Sequence, residues 1–243
     1  MPLSPQPLPN ADEPGVKRHW LFKVVASALG PDHAAALAEA KEEARESLRQ
    51  TQAQQIERVV DHIETNFFAR GKLSTRFIRD LHKLMTAAPR WKRNAKGQLI
   101  AVMVPGQYKT DPNHAINPET GETKNFAQPN AVSALMEKLV NNYNISIHNT
   151  NNNELFDFVI LFLIEFLHIH PFGDKNGLVC YALTDLILLN INHTPLYLNE
   201  FRQPFKSEFS HMISKSQSSN NIEHLKNFIQ NHLSDKPMRR ELA

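Results

Sequence analysis

The stretch "HIHPFGDKNGLVCY", residues 168–181, sets histidines, an acid, a lysine and two glycines between two of the most apolar segments of the chain. A core helix would carry leucines there, so the polar break needs a reason of its own. The pattern predicts a helix ending at the histidines, a loop containing Gly173 and Gly177, and a second helix beginning near Leu178. A helix N-terminus presents unpaired backbone N–H groups and the positive end of its dipole, so the loop is suited to an anion, phosphate above all. His170, at the end of the incoming helix, is placed to act as a general base. Asp174 could hold a divalent cation through oxygen, as a phosphate-bound magnesium requires. His168 and His170 do not make a joint metal site on a helix, because residues two apart do not face each other.

The flanking elements must hold these groups in place. The apolar run "FVILFLIEFL" at 158–167 contains Glu165 and is too short to span a bilayer, so it predicts a buried helix over 155–169 and no membrane span. Glu165 needs a partner or a solvent-facing position there. A second helix is expected over 177–191. Upstream, residues 34–63 are rich in Ala, Glu, Arg and Gln and predict one or two exposed or partner-facing helices. Gly71 stops that run, and "LSTRFIRDLHKLM" restarts with Ser74 as N-cap and Phe77, Ile78, Leu81, Leu84 and Met85 along one face. Between Thr86 and Pro129, prolines and short β-compatible pieces predict a long surface loop region. Within it "NPETGE" supplies turn chemistry at Pro118 and Gly121, so that 114–117 and 123–126 pair as a small hairpin. Helical spacing returns at 130–143 and 222–233, and the Asn-rich "NNYNISIHNTNNN" reads as a polar loop. The expected class is therefore all-α with a small β-hairpin.

With 243 residues the chain can bury a core without staples. Cys180 is the single cysteine, which excludes an internal disulfide and a thiolate-rich zinc site and fits a reducing compartment. It reads as a small core residue. The 27 basic and 25 acidic residues are mixed, so no field implying specific nucleic-acid binding follows, and the dense run "RWKRNAK" at 90–96 reads as a solvated loop. The start, "MPLSPQPLPNADEPG", lacks the regions of a signal peptide and reads as a disordered leader, which points to the cytoplasm. Trp20, Leu21 and Phe22 either pack back on the core or form a docking patch.

Residues 170–181 resemble the signature of the Fic (Fido) family, His-Pro-Phe-x-Asp/Glu-Gly-Asn-Gly-Arg-x-x-Arg. His170, Pro171, Phe172, Asp174, Asn176 and Gly177 match at the family's spacing. "PGQYKT" at 105–110 is similar to its Pro-Gly-x-Tyr-Arg segment, the hairpin and "AQPNAVSALMEKLV" to its flap and next helix, and "NHTPLYL" to the stretch after the motif helix. The resemblance divides the chain into a Pro-rich leader (1–19), an N-terminal helical extension (20–69), a Fic-type core (70–205) and C-terminal helices (206–243). It implies transfer of AMP from ATP, or of another nucleotide-derived phosphoryl group, onto a Ser, Thr or Tyr hydroxyl of a target protein. In that scheme His170 deprotonates the hydroxyl, Pro171 and Phe172 hold the loop, and Asp174 binds Mg2+. Gly173, Lys175, Asn176 and Gly177 form the nucleotide loop, and Ile116, Thr123 and Phe126 of the flap dock the target by strand addition.

Three positions depart from the pattern. Lys175 replaces a glycine, and Leu178 and Tyr181 replace arginines that in the family contact the outer phosphates. Leucine offers no donor in place of a guanidinium fork. Lys175 either restores one charge or crowds the anion hole. The readings are an active transferase, an inactive or weak relative serving as a binding or regulatory module, and an unrelated helical protein that mimics the motif. Ser219 and Glu223 in "SNNIEH" fit part of the family's inhibitory-helix pattern, although Tyr181 gives that glutamate no ion-pair partner. The family's use in host-directed effectors adds a host cytosol as a second location, and homo-oligomerisation stays open.

Overall fold

In the computed structural model the described residues are 5–13, 15–86, 88–116, 121, 123–147, 149–151 and 154–234. The two helices that flank the motif form the centre. Helix α5 (Leu155–Ile169) buries ten of its 15 residues and α6 (Asn176–Asn190) twelve, so both are apolar nearly all round and only a central position satisfies them. Around α6 pack α1 (Val16–Glu39), α3 (Thr75–Met85) and the short α7 (Leu198–Phe201). Around α5 pack α4 (Pro129–Ser146), α8 (Lys206–Ser219) and α9 (Glu223–Ser234). Helix α2 (Glu42–Ile63), prolonged by a π-turn at Glu64–Phe68, lies against α1 and α3. Ser74 caps α3 as expected, its Oγ accepting the Phe77 N–H at 3.1 Å.

Two antiparallel hairpins interrupt the helices. Strands β3 (His114–Ile116) and β4 (Thr123–Asn125) form the expected flap, while the turn at Pro118 lies outside the described residues. Strands β1 (Arg90–Arg93) and β2 (Leu99–Met103) form a hairpin where a solvated loop was expected. All four β1 residues are exposed, so no alternation of apolar and polar side chains announces the strand.

The N-terminal segments take the first of the two alternatives for Trp20 and Leu21, packing on the core. Trp20, Leu21, Val24, Val25, Ala28 and Leu29 of α1 belong to the same buried cluster as α5 and α6, so the helical extension is part of the core. Trp20 stacks on Tyr197, with ring centroids 6.3 Å apart. Residues 5–13, read as leader, are docked: Leu8 is buried, its N–H donates to the Asn192 carbonyl at 2.7 Å, and Thr194 N–H donates to the Gln6 carbonyl at 2.8 Å. The Asn-rich patch begins inside α4, because the Asn144 amide makes two 2.9 Å bonds to the Leu73 backbone. No helix among the described residues is long and apolar enough to cross a membrane.

Asp185, in the middle of α6, ties the segment after that helix to the core. Its carboxylate accepts the N–H groups of Leu196, Tyr197 and Leu198 at 2.7, 3.0 and 3.2 Å, and burial nonetheless pushes its pKa up to about 7. Asp185→Ala would leave three backbone donors without an acceptor, at about 1–3 kcal/mol for each that stays dry. A fall in Tm of roughly 6 °C or more is expected. A Tm within about 2 °C of wild type would show that water replaces the carboxylate.

Candidate active site

The loop between α5 and α6 is built as a closed clamp. Helix α5 ends because His170 adopts the left-handed conformation, φ 51°, and Pro171 follows, so the helical ladder cannot continue. Asn176, 2 % exposed, closes the loop from the other side: its Oδ1 accepts the Phe172 N–H and its Nδ2 donates to the Phe172 carbonyl, both at 2.8 Å. Phe172 is fully buried, as its expected anchoring role requires. The segment after β2 lies alongside: Lys109 N–H donates to the Pro171 carbonyl at 2.9 Å and Tyr108 forms a bridge with Phe172.

His82 of α3 holds the underside of this clamp. It is fully buried and stacks on Phe172 at 3.9 Å with the rings 12° apart. Its Nδ1 accepts the Gly106 N–H at 2.8 Å, so the proton sits on Nε2, which donates to the Asp174 carbonyl at 3.3 Å. Burial lowers its pKa to about 4, fixing the neutral ring that this pairing needs. The sequence does carry a signal for His82: it sits four residues after Ile78 and three before Met85, on the apolar stripe of its helix. Lys109 is another residue that position in the sequence leaves unassigned. Its Nζ donates to the Ile169 carbonyl at 3.2 Å, capping the negative end of α5, and to Asn113 Oδ1 at 2.7 Å.

His170 stands where the two helices meet. Desolvation by burial lowers its pKa to about 4, and the Leu167 backbone, which opposes that shift, does not offset it; Lys109 adds to the lowering. Its Nδ1 is buried and makes no well-formed hydrogen bond among the described residues. Phe126, expected on the flap as a target contact, stacks on the imidazole at 3.8 Å with the rings 11° apart. Ile116 and Thr123 are paired across the flap, and Ile116 is 60 % exposed. The flap is fastened to α8 through Lys124 and Gln217, whose amide donates in turn to the Ile164 carbonyl at 2.9 Å.

The first turn of α6 has no side-chain cap, and the N–H groups of Asn176, Gly177 and Leu178 have no partner among the described residues. Lys175 precedes them with φ 61°, a left-handed conformation that glycine adopts at no cost, so the lysine is strained where the family pattern has glycine. Its side chain is not free, because Nζ pairs with Asp32 of α1 at 2.7 Å. Asp174 is likewise engaged. Burial raises its pKa, but the hydrogen bond to Arg90 and the Lys175 N–H at 2.7 Å outweigh this and hold it below the ordinary value. No group of three His, Cys, Asp or Glu side chains that could hold a metal occurs among the described residues. Gly173 meets the β1–β2 hairpin: a Cβ there would lie 1.8 Å from the Val102 carbonyl oxygen.

Other expected groups lie elsewhere. Glu223 starts α9 and pairs with Lys226 at 3.1 Å, and Lys226 also binds Asp157 in the first turn of α5. That is the opposite end of α5 from His170, about 20 Å along the helix axis. Ser219 only returns a bond to the Lys215 carbonyl in its own helix, so neither residue is placed to inhibit the loop. Cys180 is fully buried, and desolvation raises its thiol pKa, as suits a core residue. Burial raises the pKa of Glu165, which is half-buried beside Lys138 and His168.

Residues 72–188 match the model of the Fic/DOC family. Among solved structures, a Fic domain containing signaling protein from Bacteroides thetaiotaomicron is similar with a TM-score of 0.55 and 20% identity, over 74% of this chain and 66% of that one. A Fic family protein from Desulfovibrio desulfuricans gives a TM-score of 0.57 and 16% identity over 92% and 65%. IbpAFic2 in complex with adenylylated Cdc42 gives 0.52 and 16% over 92% and 72%. The chain thus spans just under two thirds of the length of the first two. At these identities the likeness is one of fold. No curated protein matches the chain in sequence.

Proposed function

Residues 72–188 match the Fic/DOC family model, and from that premise we propose that the chain transfers a nucleotide-derived phosphoryl group, AMP from ATP first of all, to a hydroxyl of a target protein. One observation carries the reading: a neutral histidine and three free helix N–H groups are held at the two ends of one loop that Asn176 closes. The N–H groups of Asn176, Gly177 and Leu178 receive phosphate oxygens. His170 Nε2 takes the proton of the target hydroxyl while its oxygen attacks the α-phosphorus. The bond to the bridging oxygen breaks, and pyrophosphate leaves with the electron pair. The target strand would lie along the flap at Ile116 and Thr123, and its arrival must displace Phe126 from the face of His170.

A magnesium ion bound to the phosphates would neutralise charge on the leaving pyrophosphate. Asp174 fits that ion on one condition. A single carboxylate with phosphate oxygens is an ordinary Mg2+ environment, but Arg90, whose side chain is 68 % exposed, must first swing off Asp174.

The low pKa of His170 gives a direct test. A histidine with the ordinary value of 6.5 would lose most of its basic form between pH 7 and 5.5, whereas His170, at about 4, stays unprotonated over that range. The rate of label transfer from ATP into protein is therefore expected to vary less than about twofold from pH 7 to 5.5. A tenfold fall with a midpoint near 6.5 would remove His170, as placed here, from the role of base.

A second reading, a binding module without transfer, is favoured by Leu178 and Tyr181 at the arginine positions and by the commitment of Lys175 to Asp32. It predicts nucleotide or partner binding that His170→Asn leaves unchanged and no label transfer by the wild type.

A further inference from the structure

A triphosphate held on the first turn of α6 brings several negative charges, and most cations near the motif are already paired. Lys175 is bound to Asp32, Arg90 to Asp174, and Lys109 to Asn113 and the Ile169 carbonyl. Arg202, which follows α7, is not. Among the described residues its Nε is buried without a hydrogen-bond partner. Its guanidinium carbon lies 5.1 Å from the centroid of the Tyr181 ring.

Tyr181 leads from there to the phosphate loop. Its ring rests on Gly177, where an added Cβ would come 3.2 Å from Cε2 and 3.5 Å from both Cζ and Oη. Gly177 carries the middle one of the three free N–H groups, so the guanidinium is one ring away from them. The segment that bears Arg202 is also fixed in place. Asp185 holds Leu196 to Leu198, Asn199 Nδ2 donates to the Leu178 carbonyl at 3.5 Å, and Arg202 N–H donates to Leu198 at 3.2 Å.

We propose that Arg202 supplies the guanidinium that Leu178 and Tyr181 cannot, moving from the Tyr181 ring onto the outer phosphates of a nucleoside triphosphate bound at α6. The proposal rests on the nucleotide reading above. It makes the tyrosine at the second arginine position a platform: the ring parks a cation that arrives from another part of the chain. An arginine suits this exchange, since its planar group stacks on an aromatic face and then binds phosphate through a fork of donors.

Calorimetric titration with ATP and with AMP, both with Mg2+, tests this on the full chain. Arg202→Ala is expected to weaken ATP binding by about 10- to 100-fold and AMP binding by less than about twofold, because only the triphosphate reaches the lost fork. Arg202→Lys should recover part of the ATP affinity. Arg202→Ala combined with Leu178→Arg should recover most of it, which a purely structural role for Arg202 would not allow. Equal loss for ATP and AMP, or no loss with wild-type binding intact, would overturn the role of Arg202 alone. Binding of neither nucleotide by the wild type would overturn the nucleotide reading and this proposal with it.

Discussion

Alanine at position 173 is expected to cost about 3 kcal/mol or more, although it adds a single methyl group. The new Cβ would lie 1.8 Å from the Val102 carbonyl oxygen, 2.9 Å from its carbon and 3.1 Å from Met103 Cα, all backbone atoms of β2. No side-chain rotation relieves such a contact, so either the β1–β2 hairpin or the loop must move. Moving the loop breaks the Asn176 clamp, and moving the hairpin withdraws Arg90 from Asp174. Thermal unfolding of Gly173→Ala should show a Tm roughly 6–12 °C below that of the wild type. A Gly173→Ala protein that melts with wild type would mean that the hairpin does not press on the loop in solution.

Removal of the proposed base carries the other large effect. His170→Asn should lower label transfer by about 100- to 10,000-fold and leave ATP affinity within about twofold, because the phosphate donors belong to α6 and not to the end of α5. Asparagine is the better probe here, since it tolerates the left-handed backbone at φ 51° that alanine resists. The readout is incorporation of α-labelled AMP into protein, beside calorimetry with ATP. Unchanged transfer would exclude His170 as base. Wild-type binding without any transfer would favour the binding module.

Much of the scaffold was legible because it rests on composition. The helix over 155–169 follows from a run so apolar that only burial suits it, and Ser74 follows from N-cap chemistry. The motif residues were legible through their family spacing. What escaped depends on neighbours far away in sequence. Arg90–Arg93 has no apolar alternation, and its pairing with β2 makes it a strand. His82 lies on an apolar stripe that suggests burial, but the identity of its partners, Gly106 and Asp174, is set only by the packing of α3 under the loop. Lys175 could be read as a phosphate ligand only while Asp32, 143 residues away, was out of view. A Pro-rich start with few large apolar residues reads as disordered, yet Leu8 finds a buried seat beside the turn after α6.

That seat has a consequence for the order in which the protein is made. Gln6 and Thr194 are joined although 188 residues separate them, so the first of the two must wait during synthesis for its partner, about 10–40 s at ordinary elongation rates. Through that interval the growing chain holds an apolar Leu8 with no place to bury it. His170 and Asp174 emerge before the turn that receives the N-terminal segment, and Arg202 emerges after it. A nascent chain therefore carries His170 and Asp174 before the early residues dock on the turn after α6. Docking of residues 6–8 is, on this topology, a late event of biosynthesis, and a chain halted near residue 190 would contain the motif without the turn that seats Leu8.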